Sequence, residues 1–176
     1  MRRRLVTLAA ASALALALSA APVQAAGHGG GHGGAWVVIE SDSTPVAGFP
    51  IVCGHNSYTA IQGTADFVWR QKGAMDASGI ALEDGQAIET VTLTDVKVRN
   101  DTTHRVYRAV GSYRATAAWA AGADIFTGVG FTAYRQVENV RIEGTRDGRT
   151  WVVELRHGSF VTMEDRGSCS DLELLN

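Results

Sequence analysis

Long apolar runs are missing from this sequence after its first 25 residues, so no later segment approaches the roughly 20 apolar residues that a membrane-spanning helix needs. Basic runs are missing as well. Apart from Arg2 to Arg4, the chain has 13 basic and 18 acidic residues, which gives a net charge near −5. These absences predict a domain without a membrane span, and they argue against nucleic acid or an anionic membrane surface as its partner.

Recognisable catalytic motifs are also missing. The sequence has neither the GxSxG turn that presents a nucleophilic serine in α/β-hydrolases nor the HExxH pattern that places two histidines on zinc. Histidine and serine do occur close together, as in His55 and Ser57, but catalytic triads assemble in space rather than along the chain. The sequence therefore favours a binding protein over an enzyme and indicates no cofactor in the folded domain.

What is present begins with an export signal. The basic residues of Met1 to Arg4 precede an apolar run from Leu5 to Ala21, and Val23 and Ala25 occupy the −3 and −1 positions of a cleavage site. This order of features is typical of a secretory signal peptide. A membrane anchor is the alternative, and it is disfavoured because the run is short and rich in alanine. We therefore predict that residues 1–25 are a signal peptide and that the mature protein is secreted.

The two cysteines, Cys53 and Cys169, stand 116 positions apart. A pair of cysteines in a secreted chain predicts a disulfide. A metal site is the alternative, and it is disfavoured because His55 is close to Cys53 but no comparable ligand is close to Cys169. The disulfide would bring the beginning and the end of the domain together, and in the chain-entropy model it would stabilise the fold by about 4–5 kcal/mol.

Residues 26–34 read AGHGGGHGG, a composition that cannot pack a core and predicts a flexible His/Gly leader. Signal cleavage after Ala25 would start the mature chain at Ala26-Gly27-His28. An α-amine, two amides and an imidazole at this spacing form a square plane of nitrogens, which suits Cu(II) or Ni(II). Ala26, Gly27 and His28 are therefore a candidate site for adventitious copper, and a plain spacer is the other interpretation.

Residues 35–176 are dominated by alternation of apolar and polar side chains with a period of two, which is typical of half-buried strands. Helical periodicity is weak, because residues 115–123 (ATAAWAAGA) have helical propensity but no polar face. About seven to nine short strands with few connections long enough for a crossover helix predict an all-β domain. We expect an antiparallel barrel or sandwich closed by one disulfide.

Three local signals add detail to this fold. Gly63 interrupts an alternating run and predicts a bulge or bend. The apolar parity changes near Thr94-Asp95, which predicts a second bulge or two separate strands. Asp147-Gly148 lies between two alternating runs and predicts a hairpin turn, because glycine tolerates the positive φ that such turns need.

The aromatic residues, four Trp, four Tyr and five Phe, are enough either to line the mouth of a barrel or to fill its core. The longest alternating run, residues 104–119, supplies the candidates for a ligand pocket. Tyrosines mark its apolar parity, and a histidine and two arginines mark the opposite parity. The predicted pocket residues are Tyr107, Tyr113, His104, Arg108 and Arg114, and Glu138 is a further candidate for a polar group in a cavity.

A combination of features in this chain, most of them between Cys53 and Leu172, is typical of one group of proteins. An early cysteine follows the signal peptide, glycines punctuate the alternating strands, and a closing segment runs from His157-Gly158 to Cys169. In these features the chain resembles uncharacterised small secreted β-rich proteins of high-GC bacteria. The resemblance implies a secreted β domain with a terminal disulfide. The group has no known activity, so the resemblance implies no functional residue.

Together these observations predict an extracellular protein that binds a small apolar or aromatic ligand or a cell-envelope partner. Two alternatives stay open. One is a β-barrel enzyme, such as a cyclase, isomerase or hydrolase, with acid and base residues in its pocket. The other is a structural envelope protein. A cavity with convergent polar groups would favour a ligand-binding protein or an enzyme, whereas a filled core with an exposed apolar patch would favour a protein partner.

Overall fold

A computed structural model describes residues 35–171, which form nine β-strands and no helix. Strands form here because the alternation of apolar and polar side chains lets each segment bury one face. The strands are β1 (Val37–Pro45), β2 (Pro50–Cys53), β3 (Asn56–Lys72), β4 (Gly85–Asn100), β5 (Val106–Asp124), β6 (Val129–Ile142), β7 (Gly148–Arg156), β8 (Ser159–Gly167) and β9 (Cys169–Asp171).

All nine strands belong to one antiparallel sheet. Eight of them follow the order β8-β7-β6-β5-β4-β3-β2-β9, and β1 pairs with β3 off this path. From β3 to β8 each strand pairs with the next strand in sequence, so this part of the sheet is a meander. β1 pairs with the second half of β3, and β2 pairs with its first half. The ladder does not close on itself within the described residues, so the sheet is open. The predicted all-β antiparallel fold is confirmed.

The buried face of the sheet carries the parity that the sequence marks as apolar. In β5, Tyr113, Ala115 and Trp119 are buried, whereas Arg114 between them is exposed. Residues 115–123 belong to this strand despite their helical propensity, because strands on both sides supply backbone partners and an apolar face. Within residues 35–171 there is no helix with the length and hydropathy to cross a membrane.

Bulges interrupt the long strands β3 and β4 where they face each other. The ladders on both sides of β4 change register next to Asp95, which has a positive φ of 52°. Gly63 on β3 has a φ of 105°, and a Cβ at this position would lie 2.5 Å from the Cα of Val96. Only glycine fits so close to the neighbouring backbone. The bulges predicted at Gly63 and near Thr94-Asp95 are confirmed.

A hairpin joins β6 to β7 through residues 143–147, as the Asp147-Gly148 pair predicts. The reason for glycine at position 148 differs from the predicted need for a positive φ. The positive φ in this loop belongs to Gly144, at 78°, and not to Gly148. Glycine is needed at position 148 because a Cβ there would lie 2.6 Å from the carbonyl oxygen of Val140.

The disulfide lies near the point where the two edge strands of the sheet, β8 and β9, approach each other. Cys53 ends β2 and Cys169 begins β9, and the bond between these buried side chains confirms the predicted pairing. The link between β8 and β9 is the single residue Ser168, whose amide donates to the carbonyl of Gly148 at 2.9 Å. The chain therefore leaves β8 at one edge of the sheet and enters β9, beside β2 at the other edge, after a single residue.

A buried aspartate connects the same segments by hydrogen bonds. The Asp147 carboxylate accepts from the Nδ2 of Asn56 (2.8 Å), the hydroxyl of Tyr58 (2.6 Å) and the hydroxyl of Ser168 (2.9 Å). We call these four residues the aspartate latch. Burial opposes ionisation of Asp147, but the hydrogen bonds outweigh it and hold the pKa of the carboxyl below its usual value. The latch ties β3, the β6–β7 loop and the β8–β9 link together.

Candidate functional site

A cavity of about 90 Å³ opens at the end of the sheet opposite the disulfide. A molecule of liquid water takes up about 30 Å³, so the cavity is larger than a packing defect. Its wall is mostly aromatic, and we call it the aromatic cavity. The lining residues are Trp69, Ala87, Glu89, Tyr113, Ala115, Ala117, Trp119, Ile125, Phe126, Gly128, Phe131, Tyr134 and Phe160.

The aromatic wall is continuous across three strands. The ring of Phe131 stacks on Trp119 with 6.3 Å between centroids and on Tyr134 with 6.1 Å. Tyr134 meets Phe160 edge to face at 5.0 Å. Offset and edge-to-face contacts of this kind add to the stability that ring burial provides, so the rings hold one another in place.

Small side chains on β5 leave the space between these rings open. Ala115 and Ala117 have the same inward parity as Tyr113 and Trp119, so the strand presents two methyl groups between two large rings. The loop between β3 and β4 is hydrogen-bonded to the end of β5, a few residues from the lining residues Trp119 and Ile125. The amide of Ala81 donates to the carbonyl of Ala123 at 2.8 Å, and the amide of Gly122 donates back to the carbonyl of Ala81 at 2.8 Å.

Among the described residues that line the aromatic cavity, Glu89 is the one with a charged side chain. It faces inward because it shares the parity of the buried Val91 on β4, and its neighbours across the ladders are Trp69 and Ala115. Burial raises the pKa of the Glu89 carboxyl from 4.5 to about 7. Near neutral pH such a carboxyl is present in both protonation states and can donate or accept a proton.

Two tyrosines accompany Glu89. Burial, followed by the charge of Glu89, raises the pKa of Tyr113 far above its usual range. Burial raises the pKa of Tyr134 to about 12, and its hydroxyl donates to the Oε1 of Gln136 at 2.6 Å. Both phenols are therefore neutral hydrogen-bond donors at physiological pH.

We expect Glu89→Gln to stabilise the protein at pH 8 by about 2–3 kcal/mol. The pKa of Glu89 is higher in the folded than in the unfolded chain, so its contribution to stability is complete below about pH 4.5 and is lost as the pH rises through about 7. Glutamine carries no charge and avoids this loss. Urea unfolding at pH 5 and pH 8 measures the effect. Equal stabilities of the two proteins at pH 8 would show that the Glu89 carboxyl is well hydrated.

A second polar group lies inside the sheet next to the aromatic cavity. Glu138 is buried on β6 and pairs across the ladders with Tyr113 and Trp151. Burial raises the pKa of its carboxyl, and Asp165 adds to this while Arg149 opposes it. Arg149 donates its Nε–H to Asp165 at 3.2 Å and lies 5.3 Å from the ring centre of Trp151. Glu138 is thus a buried carboxyl whose charge already has a cation nearby.

The structure brings one of the five predicted pocket residues to the aromatic cavity, namely Tyr113. Tyr107 is half-buried at the disulfide end, where its ring meets Tyr58 edge to face at 6.0 Å. Tyr107 and Arg108 line a separate depression beside the Asp95 bulge. His104 lies exposed in the turn before β5 with a φ of 59°, and Arg114 is exposed on the outer face of the sheet.

Sequence reasoning missed Glu89 in the cavity wall and Gln136, which accepts the hydrogen bond of the Tyr134 hydroxyl, although the sequence contains a signal for both. Glu89 precedes Val91 by two positions, and Gln136 precedes Glu138 and Val140 by two and four positions. A polar residue that has the parity of buried neighbours must face the interior. Glu138, which was a candidate, does face the interior, but it lies next to the aromatic cavity and not in its wall.

The predicted copper ligands Ala26, Gly27 and His28 lie outside the described residues. Between residues 35 and 171, no three His, Cys, Asp or Glu side chains are grouped in a way that could hold a metal ion. The polar groups on the side chains that line the aromatic cavity are one carboxyl, two phenols and two indole N–H groups.

Comparisons of this chain with protein-family models, with curated proteins and with solved structures found no match. The residues of the aromatic cavity provide a small volume open at one side, aromatic walls and a carboxyl group with a pKa of about 7.

Proposed function

We propose that the protein binds a small apolar or aromatic molecule in the aromatic cavity. The supporting observation is a space bounded by seven aromatic side chains where a domain without a ligand would have a filled core: Trp69, Tyr113, Trp119, Phe126, Phe131, Tyr134 and Phe160. Each 100 Å² of apolar surface removed from water contributes about 2.5 kcal/mol. Aromatic walls therefore favour a ligand with an apolar body.

The volume limits the size of this ligand. An engineered cavity of about 150 Å³ holds benzene, so a space of about 90 Å³ encloses part of one ring or a short alkyl group. The remainder of the ligand would extend through the mouth, past Phe126 and Gly128 of the β5–β6 loop. We expect a ligand with a single ring or a similarly small apolar end, oriented by Glu89 and Tyr113.

We further propose that binding takes place outside the cytoplasm. The Cys53–Cys169 disulfide supports an oxidising compartment, because reducing systems in the cytoplasm keep such pairs open. The signal-like residues 1–25 agree with export. A cavity-binding role also fits better than a structural envelope role, which gives no reason for a partly buried carboxyl that forms none of the ion pairs found between residues 35 and 171.

A second candidate function is acid/base catalysis on the bound molecule. The observation that favours it is the pKa of about 7 of Glu89, because the best general acids and bases titrate near the working pH. In this role Glu89 would move a proton at the ligand, and Tyr113 would donate a hydrogen bond. An isomerase or cyclase needs only such groups. An enzyme would convert the bound ligand into a product, whereas a binding protein would not. If the protein is an enzyme, Glu89→Gln should abolish this conversion while the ligand still binds.

The binding proposal predicts that filling the cavity abolishes ligand uptake. We expect Ala117→Phe to reduce the affinity for toluene and for phenol by at least about tenfold, because the new ring occupies the ligand's space. Ala118→Phe is the matched control, since position 118 is the next residue on β5 and has the opposite parity. Quenching of tryptophan fluorescence and ligand-observed NMR would measure binding, because Trp69 and Trp119 line the cavity.

Two results would contradict the proposal. One is the absence of toluene or phenol binding to the unmodified protein at millimolar concentration. The other is binding that Ala117→Phe leaves unchanged, which would place the ligand elsewhere. Thermal unfolding of both variants shows whether the introduced ring has damaged the fold.

A further inference from the structure

The charged side chain in the wall of the aromatic cavity is a carboxyl, and the described residues of the wall include no cation. Glu89 forms none of the ion pairs found within residues 35–171, and burial is the cause of its raised pKa. Glu138 differs, because Arg149 acts on it. A cation beside a partly buried carboxylate stabilises its charged form, because the attraction offsets the cost of removing the carboxylate from water. The missing cation of Glu89 can come from a ligand.

The walls of the cavity fit the same cation. The faces of aromatic rings carry negative charge density, and ammonium groups bind over them with energies that increase when water is excluded. Trp69, Trp119 and Tyr113 place such rings beside Glu89 in the cavity wall. A ring of aromatic side chains with one carboxyl is the arrangement that recognises an ammonium group with an apolar body.

We propose that the ligand of the aromatic cavity is an organic cation, an amine that carries a positive charge and a small apolar group. This inference rests on the proposed binding function. The ammonium group lies against the carboxylate of Glu89 and the rings of Trp69 and Trp119, and the apolar part fills the space above Ala115 and Ala117. A neutral apolar molecule would leave Glu89 without a counter-charge.

One observation favours a competing ligand. The indole N–H of Trp119 is buried and has no hydrogen-bond partner among the described atoms. A neutral molecule with an oxygen acceptor would satisfy this donor, and protonated Glu89 could donate a second hydrogen bond to the same oxygen. The two ligand classes differ in charge, so a matched pair of compounds distinguishes them.

Binding of a cation should depend on pH through Glu89. The titratable groups that act on Glu89 from neighbouring strands are Tyr113 and Tyr134, with Glu138 next to Tyr113. Both tyrosines stay neutral below pH 9, and Glu138 already has Arg149 beside it. Protonation of Glu89 below about pH 7 removes the carboxylate, so affinity for a cation falls as the solution becomes more acidic.

The test compares benzylamine, which is a cation between pH 5 and pH 8, with benzyl alcohol, a neutral compound of the same size that has an oxygen acceptor. Isothermal titration calorimetry of the intact protein is expected to give at least about tenfold tighter binding of benzylamine at pH 8. The preference should disappear at pH 5. It should also disappear in Glu89→Gln, whereas Glu143→Gln, a carboxyl in the β6–β7 loop at the opposite end, should retain it.

Equal or tighter binding of benzyl alcohol at pH 8 overturns the cation proposal and leaves the binding function in place. A preference for benzylamine that persists in Glu89→Gln also overturns it. Failure of both compounds, together with toluene and phenol, counts against the binding function itself. The pH series on the unmodified protein gives a result even if Glu89→Gln does not fold.

Discussion

Replacement of Asp147 by alanine is expected to lower the free energy of unfolding by about 3–5 kcal/mol. The carboxylate accepts three hydrogen bonds in a buried setting, and each hydrogen bond to a charged group contributes roughly 1.5–3 kcal/mol. Its removal also leaves the buried hydroxyl of Tyr58 without an acceptor. Urea unfolding followed by tryptophan fluorescence would measure the loss.

Asp66 offers a matched control for this substitution. Its carboxylate also accepts three hydrogen bonds, in this case from the hydroxyls of Ser43, Thr64 and Thr94, but it is solvated on the outer face of the sheet. Asp66→Ala should therefore cost much less than Asp147→Ala. Similar losses in the two variants would mean that burial does not strengthen the latch.

The latch should also make stability depend on pH in the acid range. The pKa of Asp147 is lower in the folded than in the unfolded chain, so its contribution is complete above about pH 4 and is lost as the pH falls through the folded value. Asp147→Ala should therefore be less sensitive to acid than the parent protein.

Removal of the disulfide is expected to have an effect of similar size. Cys53→Ser combined with Cys169→Ser should lower the free energy of unfolding by about 4–5 kcal/mol, because the bond closes a loop of 116 positions and restricts the unfolded chain. Unfolding of the unmodified protein with and without a reducing agent gives an independent measure. A double variant as stable as the oxidised protein would contradict the entropic argument.

The disulfide and the latch should be coupled. Ser168 of the latch is adjacent to Cys169, so release of the disulfide frees the segment that carries one of the three donors to Asp147. Contacting residues give non-additive effects on stability. We expect the combined loss in a variant without disulfide and without Asp147 to be smaller than the sum of the separate losses.

Much of the fold could be predicted because its signals are local. Alternation with a period of two gives strand identity and facing, and the parity change near Asp95 marks a bulge without any tertiary knowledge. The Cys53–Cys169 bond follows from counting cysteines in a chain that the sequence predicts to be secreted. The role of Gly148 could not be predicted, because it depends on how closely the carbonyl of Val140 approaches from another strand.

The aromatic cavity could be predicted only in part. The inward parity of Tyr113 is visible in the sequence, and so is that of Glu89. Period-two alternation shows which side chains face inward, but it does not show which inward side chains of different strands lie next to each other. Their neighbours across five strands depend on the register of the strand pairing. Arg108 and Arg114 share the longest alternating run with Tyr113, but they have the opposite parity and lie on the other face.

The open space itself arises from size differences between neighbouring strands. Ala115 and Ala117 on β5 stand beside the large rings of Phe131 and Tyr134 on β6. A sequence shows each residue's size but not which large residue meets which small one. Whether small and large side chains interlock or leave a gap is decided by the three-dimensional packing.

The latch and the aromatic cavity lie at opposite ends of the same long strands, and this separation matters for evolution. Selection for a different ligand can act on Ala115, Ala117 and the β5–β6 loop, none of which takes part in the disulfide or the latch. Selection for resistance to unfolding acts on a separate set of side chains. A lineage with this architecture can therefore diversify what it recognises while the closure at the other end keeps the domain folded.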